Sequence, residues 1–361
     1  MLDSSFWSGK SVLITGHTGF KGSWLSLWLS ALGARVHGYS QAPNTEPNLY
    51  DLAQIGTLSD SKIADINDAT QLGDYIASAQ PDIVFHLAAQ ALVRESFTDP
   101  VTTLQTNVMG TVNVLEAVRR CQSVKALVVV TSDKCYQNNE WHWGYRENEP
   151  LGGHDPYSAS KACAELVVQA WRLSFMSTTS PQGHSCAVAS ARAGNVIGGG
   201  DWSKDRLIPD VLNSISQGQD IVLRNPNAIR PWQHVLEPLA GYLLLAQKLS
   251  EDGQSWAEAW NFGPHDSDAR PVSSVVSSLL HRLNSKNQWT TPEAQQPHEA
   301  QHLKLDCSKA ADRLGWTPVW GLDDTLADIA AWHHAFNQDE DMRSVSLKTI
   351  QRYMDDAARA T

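Results

Sequence analysis

A tyrosine and a lysine four residues apart are the first pair in this sequence that could carry out chemistry. Tyr157 and Lys161 follow Asp155-Pro156, a typical helix start, and residues i and i+4 share one helix face. A phenol with a pKa of about 10 is a poor base at neutral pH, but a neighbouring ammonium and a further cation favour the phenolate. The spacing therefore predicts a general base, although Tyr-x-x-x-Lys also occurs by chance.

A second group of polar residues, Ser132-Asp133-Lys134, follows the apolar run from Lys125 to Val130. Such a run is typical of a buried strand, and ligands of open α/β sheets bind at the carboxyl ends of the strands. The end of this strand is therefore predicted to place a hydroxyl group at the carboxyl edge of the sheet.

Three evenly spaced glycines lie in Thr15-Gly-His-Thr-Gly-Phe-Lys-Gly22, directly after the first apolar run. Gly16, Gly19 and Gly22 would permit a tight turn, close approach of backbone amides to a pyrophosphate, and close packing of a helix on a strand. A purely structural turn would also use such glycines. Their position between an N-terminal strand and a helix predicts a dinucleotide-binding loop.

The sequence favours NAD over NADP as that dinucleotide. The second strand ends at Gly38-Tyr39-Ser40, with no carboxylate for the ribose hydroxyls and no following arginine for a 2′-phosphate. Lys21 lies within the glycine loop, where a helix-start lysine is more often solvated than bound to phosphate. Asp65 and Ile66 follow the third predicted strand, where an adenine-contacting acid would lie, but a helix-start acid is an equal alternative.

Short apolar strands alternate with amphipathic helices and must position these groups. The alternation predicts an α/β fold: a doubly wound parallel Rossmann sheet with a smaller C-terminal substrate-binding domain. We expect the NAD-binding domain over residues 1–193, with a segment near 231–260 returning to it, and residues 194–361 mainly in the second domain. The predicted strands and helices are Ser11–Thr15, Arg35–Tyr39, Ile63–Asp65, Asp82–Leu87 and Lys125–Val130, and Phe20–Leu32, Ala69–Ala79 and Val101–Arg120.

Composition argues against several classes of function. The formal net charge of -11 argues against nucleic acid as a partner, because phosphate backbones require a basic surface. The five cysteines contain no C-x-x-C pair, which indicates reduced thiols and no zinc site. The N-terminus lacks a cationic and apolar leader, and no apolar run is long enough to span a membrane. We therefore expect a soluble cytoplasmic protein without a metal.

These motifs, together with His86-Leu-Ala-Ala-Gln90 and Asn107, resemble the extended short-chain dehydrogenase/reductase family over essentially the whole chain. The resemblance implies a Rossmann domain, a smaller nucleotide-sugar domain, a retained nicotinamide cofactor, and usually a homodimer formed through two helices per subunit. The residues for which it implies contact with the cofactor are Gly16, His17, Thr18, Gly19, Phe20, Gly22, Asp65, Ile66, Leu87, Ala88, Ala89, Asn107, Tyr157 and Lys161.

The residue after the hydroxyl at the end of the fifth strand distinguishes branches of this family. Epimerases carry an apolar or small residue there, whereas 4,6-dehydratases carry an acid, commonly in Thr-Asp-Glu. Asp133 followed by Lys134 is similar to the branch that acts on CDP-glucose. Further strings that resemble this branch are Gly16–Trp24, Ser132–Tyr136, Ala193–Trp202 and Ile229–His234. The branch takes part in deoxysugar biosynthesis, including that of lipopolysaccharide O-antigen.

The resemblance implies roles for the catalytic candidates. Tyr157 would take the proton of the carbon 4 hydroxyl as hydride leaves, with Lys161 and Ser132 polarising the site. Asp133 would protonate the departing carbon 6 hydroxyl, and Lys134 would remove the proton at carbon 5. Because the dehydratases usually have glutamate at this last position, a solvated structural role for Lys134 stays open.

The anionic substrate requires a local basic cluster in an acidic protein. The candidates for binding the diphosphate and cytidine are Arg94, Asn195, Arg206, Arg230 and, in a late loop, His298. Ion pairs at the surface or between domains are the alternative for the arginines, and a helix start for His298. The competing functions are a 4-epimerase, another oxidoreductase of this fold, a 4,6-dehydratase of another nucleotide sugar, or an NAD-sensing protein, although the intact Tyr157 pair argues against the last.

Overall fold

The computed structural model describes residues 3–176, 184–292 and 302–360. The strands, in chain order, are β1 Ser11–Thr15, β2 Arg35–Ser40, β3 Ser59–Ile63, β4 Ile83–His86, β5 Ala126–Val130, β6 Ala187–Ala193, β7 Asn195–Ile197, β8 Ile221–Val222, β9 Ile229–His234, β10 Ala259–Phe262, β11 Ala269–Pro271 and β12 Trp289–Thr290. The α-helices are α1 Ser4–Trp7, α2 Phe20–Ala31, α3 Leu49–Leu52, α4 Ala69–Ala79, α5 Val93–Thr98, α6 Pro100–Leu104, α7 Gly110–Arg119, α8 Pro156–Ser174, α9 Leu207–Ser216, α10 Leu236–Asp252, α11 Val272–Arg282, α12 Leu322–Asn337 and α13 Met342–Ala360.

The central sheet has seven strands in the order β10-β6-β5-β4-β1-β2-β3, and every neighbouring pair is parallel. All residues of β1, β4, β5 and β6 are buried, as expected for strands covered by helices on both faces. The chain runs outward from β1 to β3 and then resumes beside β1 with β4. This reversal opens a crevice above β1 and β4, where doubly wound sheets bind their ligands.

The fold class predicted from the sequence is confirmed, and most element boundaries agree within one or two residues. The third strand is the exception, because it covers Ser59–Ile63 and not Ile63–Asp65. Its residues are polar and largely exposed at the edge of the sheet, so no apolar run marked it. The predicted helix Val101–Arg120 consists of α6 and α7 joined by a π-helical segment, Gln105–Met109. Such segments often mark functional sites.

A second layer follows β6. A three-stranded sheet of β11, β9 and β7 and a short β12–β8 pair lie with α9, α11 and α12 around a separate apolar core. The chain also returns to the large sheet, because β10 pairs with β6 and α10 packs on β5 and β6. Helix α13 packs against α2 of the first layer. Within the described ranges, no helix has both the length and the apolarity that a membrane span requires.

Candidate active site

A cleft of about 1880 Å³ runs along the carboxyl ends of the central strands. One wall consists of the loops after β1 to β6, and the other is formed by residues 203–211 and 219–230. Pockets for a single small ligand usually measure about 300–1,000 Å³. This cleft therefore has room for a dinucleotide and a second large ligand together.

The glycine loop is built for close approach of backbone to backbone. Gly16 has a φ of +79°, and a Cβ atom there would lie 2.7 Å from the backbone nitrogen of Ala88. A Cβ atom on Gly22 would collide with the carbonyl oxygen of Gly16. Gly19 precedes α2 in extended conformation, and the first N–H groups of a helix have no partner within it. Gly19, Phe20 and Gly22 line the cleft at this end of α2. These features fit the pyrophosphate of a dinucleotide.

His17 and Thr18 differ in what their side chains face. The imidazole of His17 is fully buried, and its Nε2 atom lies 2.6 Å from the Ser61 hydroxyl. The ring occupies the space where Gly38 has no side chain, and His17 is not among the residues that line the cleft. Burial lowers the pKa of His17 to about 4, which keeps the ring neutral. Thr18 does line the cleft, where its hydroxyl lies 2.8 Å from that of Ser40.

The remaining predicted cofactor residues of the strand ends line the same wall. Asp65 is exposed and accepts hydrogen bonds from Asn67, and the neighbouring Ile66 is buried against Gly110. Leu87, Ala88 and Ala89 follow β4 at the reversal of the sheet, and all of these predicted residues border the cleft.

Asn107 lies in the π-helical segment and does not line the cleft. Its Oδ1 atom accepts a hydrogen bond from the Gln90 backbone N–H at 2.8 Å. Its Nδ2 atom donates to the Gln90 carbonyl at 3.0 Å and to the Ser160 hydroxyl at 2.8 Å. Since Ser160 precedes Lys161, the amide of Asn107 joins the loop after β4 to the helix that carries the reactive pair.

Tyr157 and Lys161 lie on the first two turns of α8 and line the cleft. The helix begins with Asp155, whose carboxylate accepts a hydrogen bond from the Ser158 N–H, and with Pro156 at its first position. Burial raises the pKa of Tyr157 to about 12, while hydrogen bonding to Ser132 acts in the opposite direction. Burial also lowers the pKa of Lys161 to about 8. The protein alone therefore does not produce the lowered phenol pKa predicted from the pair, and a cation bound in the cleft would be required.

Asp133 is a deeply buried carboxyl group of the site, with only 3% of its surface exposed. Its Oδ1 atom accepts a hydrogen bond from the Ser132 hydroxyl at 3.0 Å, and its Oδ2 atom has no hydrogen-bond partner among the described residues. Burial raises the pKa of Asp133, and Lys134, Ser132 and Arg230 only partly oppose this effect. A raised pKa favours the protonated form of a carboxyl group, which is the form that can donate a proton. Lys134 is half-buried and lines the cleft beside it.

Of the predicted substrate residues, Arg206 and Arg230 lie on the wall formed by residues 203–211 and 219–230, and Arg94 and Asn195 lie on the wall of the strand-end loops. Arg94, Asn195, Arg206 and Arg230 all line the cleft, whereas His298 lies outside the described residues. Arg206 precedes α9 and pairs with Asp201 at 3.2 Å, and Arg94 lies 3.5 Å from Asp205. Arg230 is buried on β9, and its positive charge acts to lower the pKa of Asp133. The arginines therefore border one cleft, but Arg94 and Arg206 are paired with aspartates, so their contact with an anionic substrate stays a prediction.

Sequence reasoning missed two cations of the cleft. Lys21 was judged a solvated lysine, yet it is only partly exposed and lines the cleft. Burial, Arg206 and Lys161 together lower its pKa to about 7. Arg224 lines the cleft near Asp205, to which it is bound at 2.6 Å. The sequence contained a signal for Lys21, namely its place inside the glycine loop.

Metal ligands are not grouped in this cleft. Among residues 3–176, 184–292 and 302–360, no cluster of three or more His, Cys, Asp or Glu side chains could hold an ion. The five cysteines, all within these ranges, are free thiols.

Comparison with known proteins agrees with this geometry. A family model described as GDP-mannose 4,6 dehydratase matches residues 13–329, which is most of the chain. The chain belongs to this family. The resemblance to the extended short-chain dehydrogenases/reductases, predicted from the motifs, is thereby confirmed.

Two curated relatives illustrate the similarity. A CDP-glucose 4,6-dehydratase from Salmonella typhimurium is 53% identical over 359 residues, which cover 99% of this chain and 100% of the Salmonella protein. A dTDP-glucose 4,6-dehydratase from Streptomyces antibioticus is 28% identical over 331 residues, which cover 90% of this chain and 92% of that protein.

Solved structures show the same fold at lower identity. A UDP-glucose 4-epimerase from Thermotoga maritima, solved with UDP-glucose, has a TM-score of 0.77 at 18% identity and covers 90% of this chain and 99% of its own. A dTDP-glucose 4,6-dehydratase from Streptomyces venezuelae, solved with NAD, has a TM-score of 0.76 at 23% identity. The match covers 91% of this chain and 98% of the Streptomyces chain.

Proposed function

We propose that this protein is an NAD-dependent hydro-lyase that converts CDP-D-glucose into CDP-4-dehydro-6-deoxy-D-glucose. Asp133 carries the proposal: a buried carboxyl group with one unpartnered oxygen, in the same cleft as Tyr157. An acid in this position serves the loss of water. The choice of substrate is supported by 53% identity, over 99% of the chain, to a CDP-glucose 4,6-dehydratase.

Each catalytic residue has a defined task in this proposal. Tyr157 accepts the proton of the carbon 4 hydroxyl, with Ser132 and Lys161 orienting and polarising the phenol. The ketone formed at carbon 4 makes the carbon 5 hydrogen acidic, because the resulting carbanion is an enolate. Lys134 takes the carbon 5 proton, and Asp133 donates its proton to the carbon 6 hydroxyl, which leaves as water.

When bound, NAD would supply the hydride acceptor for carbon 4 and the hydride donor for carbon 6. The proton that Lys134 takes from carbon 5 would return to carbon 5 as the hydride is added. We propose that the backbone of Gly16, Gly19 and Gly22 holds its pyrophosphate, because side chains there would fill the loop. Of the other predicted contacts, the side chains that border the cleft are those of Thr18, Phe20, Asp65, Ile66, Leu87, Ala88, Ala89, Tyr157 and Lys161. His17 and Asn107 act by fixing the backbone, since neither lines the cleft.

A 4-epimerase on the same fold is the alternative function. Epimerisation requires oxidation and reduction at carbon 4 but no acid for a departing hydroxyl group. The raised pKa of Asp133, caused by its burial, would have no use in that reaction. We therefore favour the dehydratase.

We further propose a homodimer formed through α5, α6 and α8, which pack side by side. Large apolar side chains are exposed on these helices: Phe97, Val101, Leu104, Leu166 and Leu173. A second copy that presents the same face would bury them, as a two-fold interface requires. Sedimentation of Leu166→Glu and Leu173→Glu variants tests this, since a dimer unaffected by either charge would contradict the proposed face.

The packing of β10 and α10 on the large sheet supports a division of the chain into two domains. We propose that residues 1–193 together with the segment near 231–260 form the NAD-binding domain, and that the remainder binds mainly the nucleotide sugar. A cytoplasmic location of the protein and a role in the biosynthesis of lipopolysaccharide O-antigen remain predictions.

A product assay tests the function. Purified protein is incubated with NAD and, separately, with CDP-, dTDP-, UDP- and GDP-glucose, and the product is examined for a 4-keto-6-deoxy sugar. We expect CDP-glucose to be converted far faster than the others. Equal turnover of dTDP-glucose would reject the choice of substrate, and a 4-epimer as product would reject the dehydratase.

A further inference from the structure

A buried ion pair lies behind the catalytic residues and has no role in the proposed reaction. Glu165 is 4% exposed on α8, and Arg192 is 3% exposed on β6. The Arg192 guanidinium donates to Glu165 Oε2 at 2.7 Å. Neither residue lines the cleft, so neither can contact substrate or cofactor.

Both oxygens of the Glu165 carboxylate accept hydrogen bonds from neighbouring side chains. Its Oε1 atom accepts a hydrogen bond from the Thr131 hydroxyl at 2.5 Å, and its Oε2 atom accepts one from the Ser190 hydroxyl at 2.7 Å. Thr131 directly precedes Ser132 and is likewise buried. The carboxylate thus holds the beginning of the segment that bears Ser132, Asp133 and Lys134.

The Arg192 guanidinium holds the other end of this segment. It donates to the Tyr136 hydroxyl at 2.7 Å and lies over the Tyr136 ring, 4.9 Å from its centroid. The Tyr136 hydroxyl in turn donates to Asn261 Oδ1 at 2.8 Å, on β10. Tyr136 is 1% exposed, so this attachment is also shielded from water.

One ion pair therefore connects both catalytic elements. Glu165 is four residues beyond Lys161 on α8, and its negative charge raises the pKa of Lys161 against the effect of burial. A buried ion pair is often no more stable than apolar residues of the same volume, so stability alone is weak grounds for one here. The ion pair and its hydrogen bonds do, however, favour a single arrangement of the segments they join, although Arg192 Nε has no partner among the described residues.

We propose that Glu165 and Arg192 are positioning residues, which hold the Thr131–Tyr136 segment at a fixed distance from Tyr157 and Lys161 on α8. A shift of about 1 Å between reacting groups can cost on the order of 10²-fold in rate. The effect on turnover rests on the proposed function. The mechanical connection does not.

Two variants distinguish an effect on positioning from an effect on stability. Each removes one of the two hydroxyl groups that donate a hydrogen bond to the Glu165 carboxylate. Thr131→Val removes the bond that holds the catalytic segment, and Ser190→Ala removes a bond from β6, which carries none of the catalytic residues. We expect kcat of Thr131→Val to fall about ten- to hundred-fold, with KM little changed, and Ser190→Ala to stay within about twofold of wild type. Equal losses in both variants would overturn the proposal.

A second measurement requires no substrate. Hydrogen–deuterium exchange of the backbone amides of residues 132–136 is followed in both variants. Faster exchange in Thr131→Val alone is expected, and it would uphold the mechanical connection even if CDP-glucose were not turned over. Unchanged exchange there in both variants would contradict the connection.

The pH profile adds a readout that a merely structural pair would not move. Glu165→Gln paired with Arg192→Met removes both charges and avoids an unpaired buried arginine. Without the carboxylate, the pKa of Lys161 should fall, and the limb of the rate profile that follows Lys161 should move to lower pH. Glu237 is another buried carboxyl group, which accepts a hydrogen bond from Tyr353 and does not line the cleft. Glu237→Gln should therefore leave the pH of that limb unchanged. An unmoved limb in the double variant would contradict the role of Glu165.

Discussion

Asp133 and Glu165 are both buried carboxyl groups close to the end of β5, yet the protein treats them in opposite ways. Asp133 accepts a single side-chain hydrogen bond, keeps one oxygen without a partner and borders the cleft. Glu165 receives the Arg192 guanidinium and two hydroxyl groups, and it does not border the cleft.

The two pKa values shift in opposite directions as a result. Burial raises the pKa of Asp133, because too few partners compensate for the lost water. Burial would also raise the pKa of Glu165, but Arg192 and the hydrogen bonds outweigh it and hold that pKa below its ordinary value. Environment, and not residue type, thus makes one group a proton donor and the other a fixed anion.

The largest expected difference concerns stability. Glu165→Gln leaves Arg192 as an unpaired buried charge, and breaking such a pair costs about 3–5 kcal/mol of the free energy of unfolding. Asp133→Asn should not lower that free energy, because burial disfavours the charged form of Asp133 and the amide carries no charge. Urea unfolding of both variants measures their free energies of unfolding. A similar loss of stability in both variants would contradict the difference between the two carboxyl groups.

The pH dependence of stability should have opposite signs at the two positions. The contribution of Asp133, whose pKa is raised on folding, is complete below its unfolded pKa of about 3.9 and is lost as pH rises through its folded pKa. The contribution of Glu165, whose pKa is lowered, is present above its unfolded pKa of about 4.3 and is lost as pH falls through its folded pKa. Unfolding curves from pH 4 to 8 should therefore show wild type losing stability relative to Asp133→Asn as pH rises. A constant difference between these two proteins would contradict the raised pKa.

A smaller effect is expected at Lys21, whose pKa is lowered to about 7 by burial and by the cations Arg206 and Lys161. A bound diphosphate would supply the missing negative charge and raise that pKa, so binding at pH 8 should take up a proton. Calorimetry of NAD and of CDP binding, in buffers of different ionisation enthalpy, measures this uptake for each ligand. Lys21→Met should abolish it and weaken binding about tenfold, whereas the exposed Lys62→Met should change neither. Equal proton uptake in Lys21→Met would assign the proton to another group.

The sequence predicted the sheet and the cleft, and most of the predicted site residues border that cleft, because local apolar runs and glycine spacing determine those features. It could not predict contacts that join distant segments. The ring of His17 packs into the space above Gly38, and Asn107 fastens Gln90 to Ser160, although both residues had been assigned to the cofactor. The Glu165–Arg192 ion pair joins residues that are 27 positions apart in the chain, and no sequence motif indicated it. Strand β3 was misplaced because its polar edge residues carry no apolar pattern.

The role of Asp133 as the acid that releases water is the central claim, and one rapid-mixing measurement tests it most directly. Asp133→Asn is mixed with NAD and CDP-glucose while absorbance of the reduced nicotinamide is recorded, with Tyr157→Phe as the control that should give no reduction at all. An amide is a far weaker proton donor, so oxidation should proceed while overall turnover falls about 10²- to 10⁴-fold. The account predicts that reduced cofactor accumulates on the enzyme. Unchanged turnover by Asp133→Asn, with no accumulation, would contradict it.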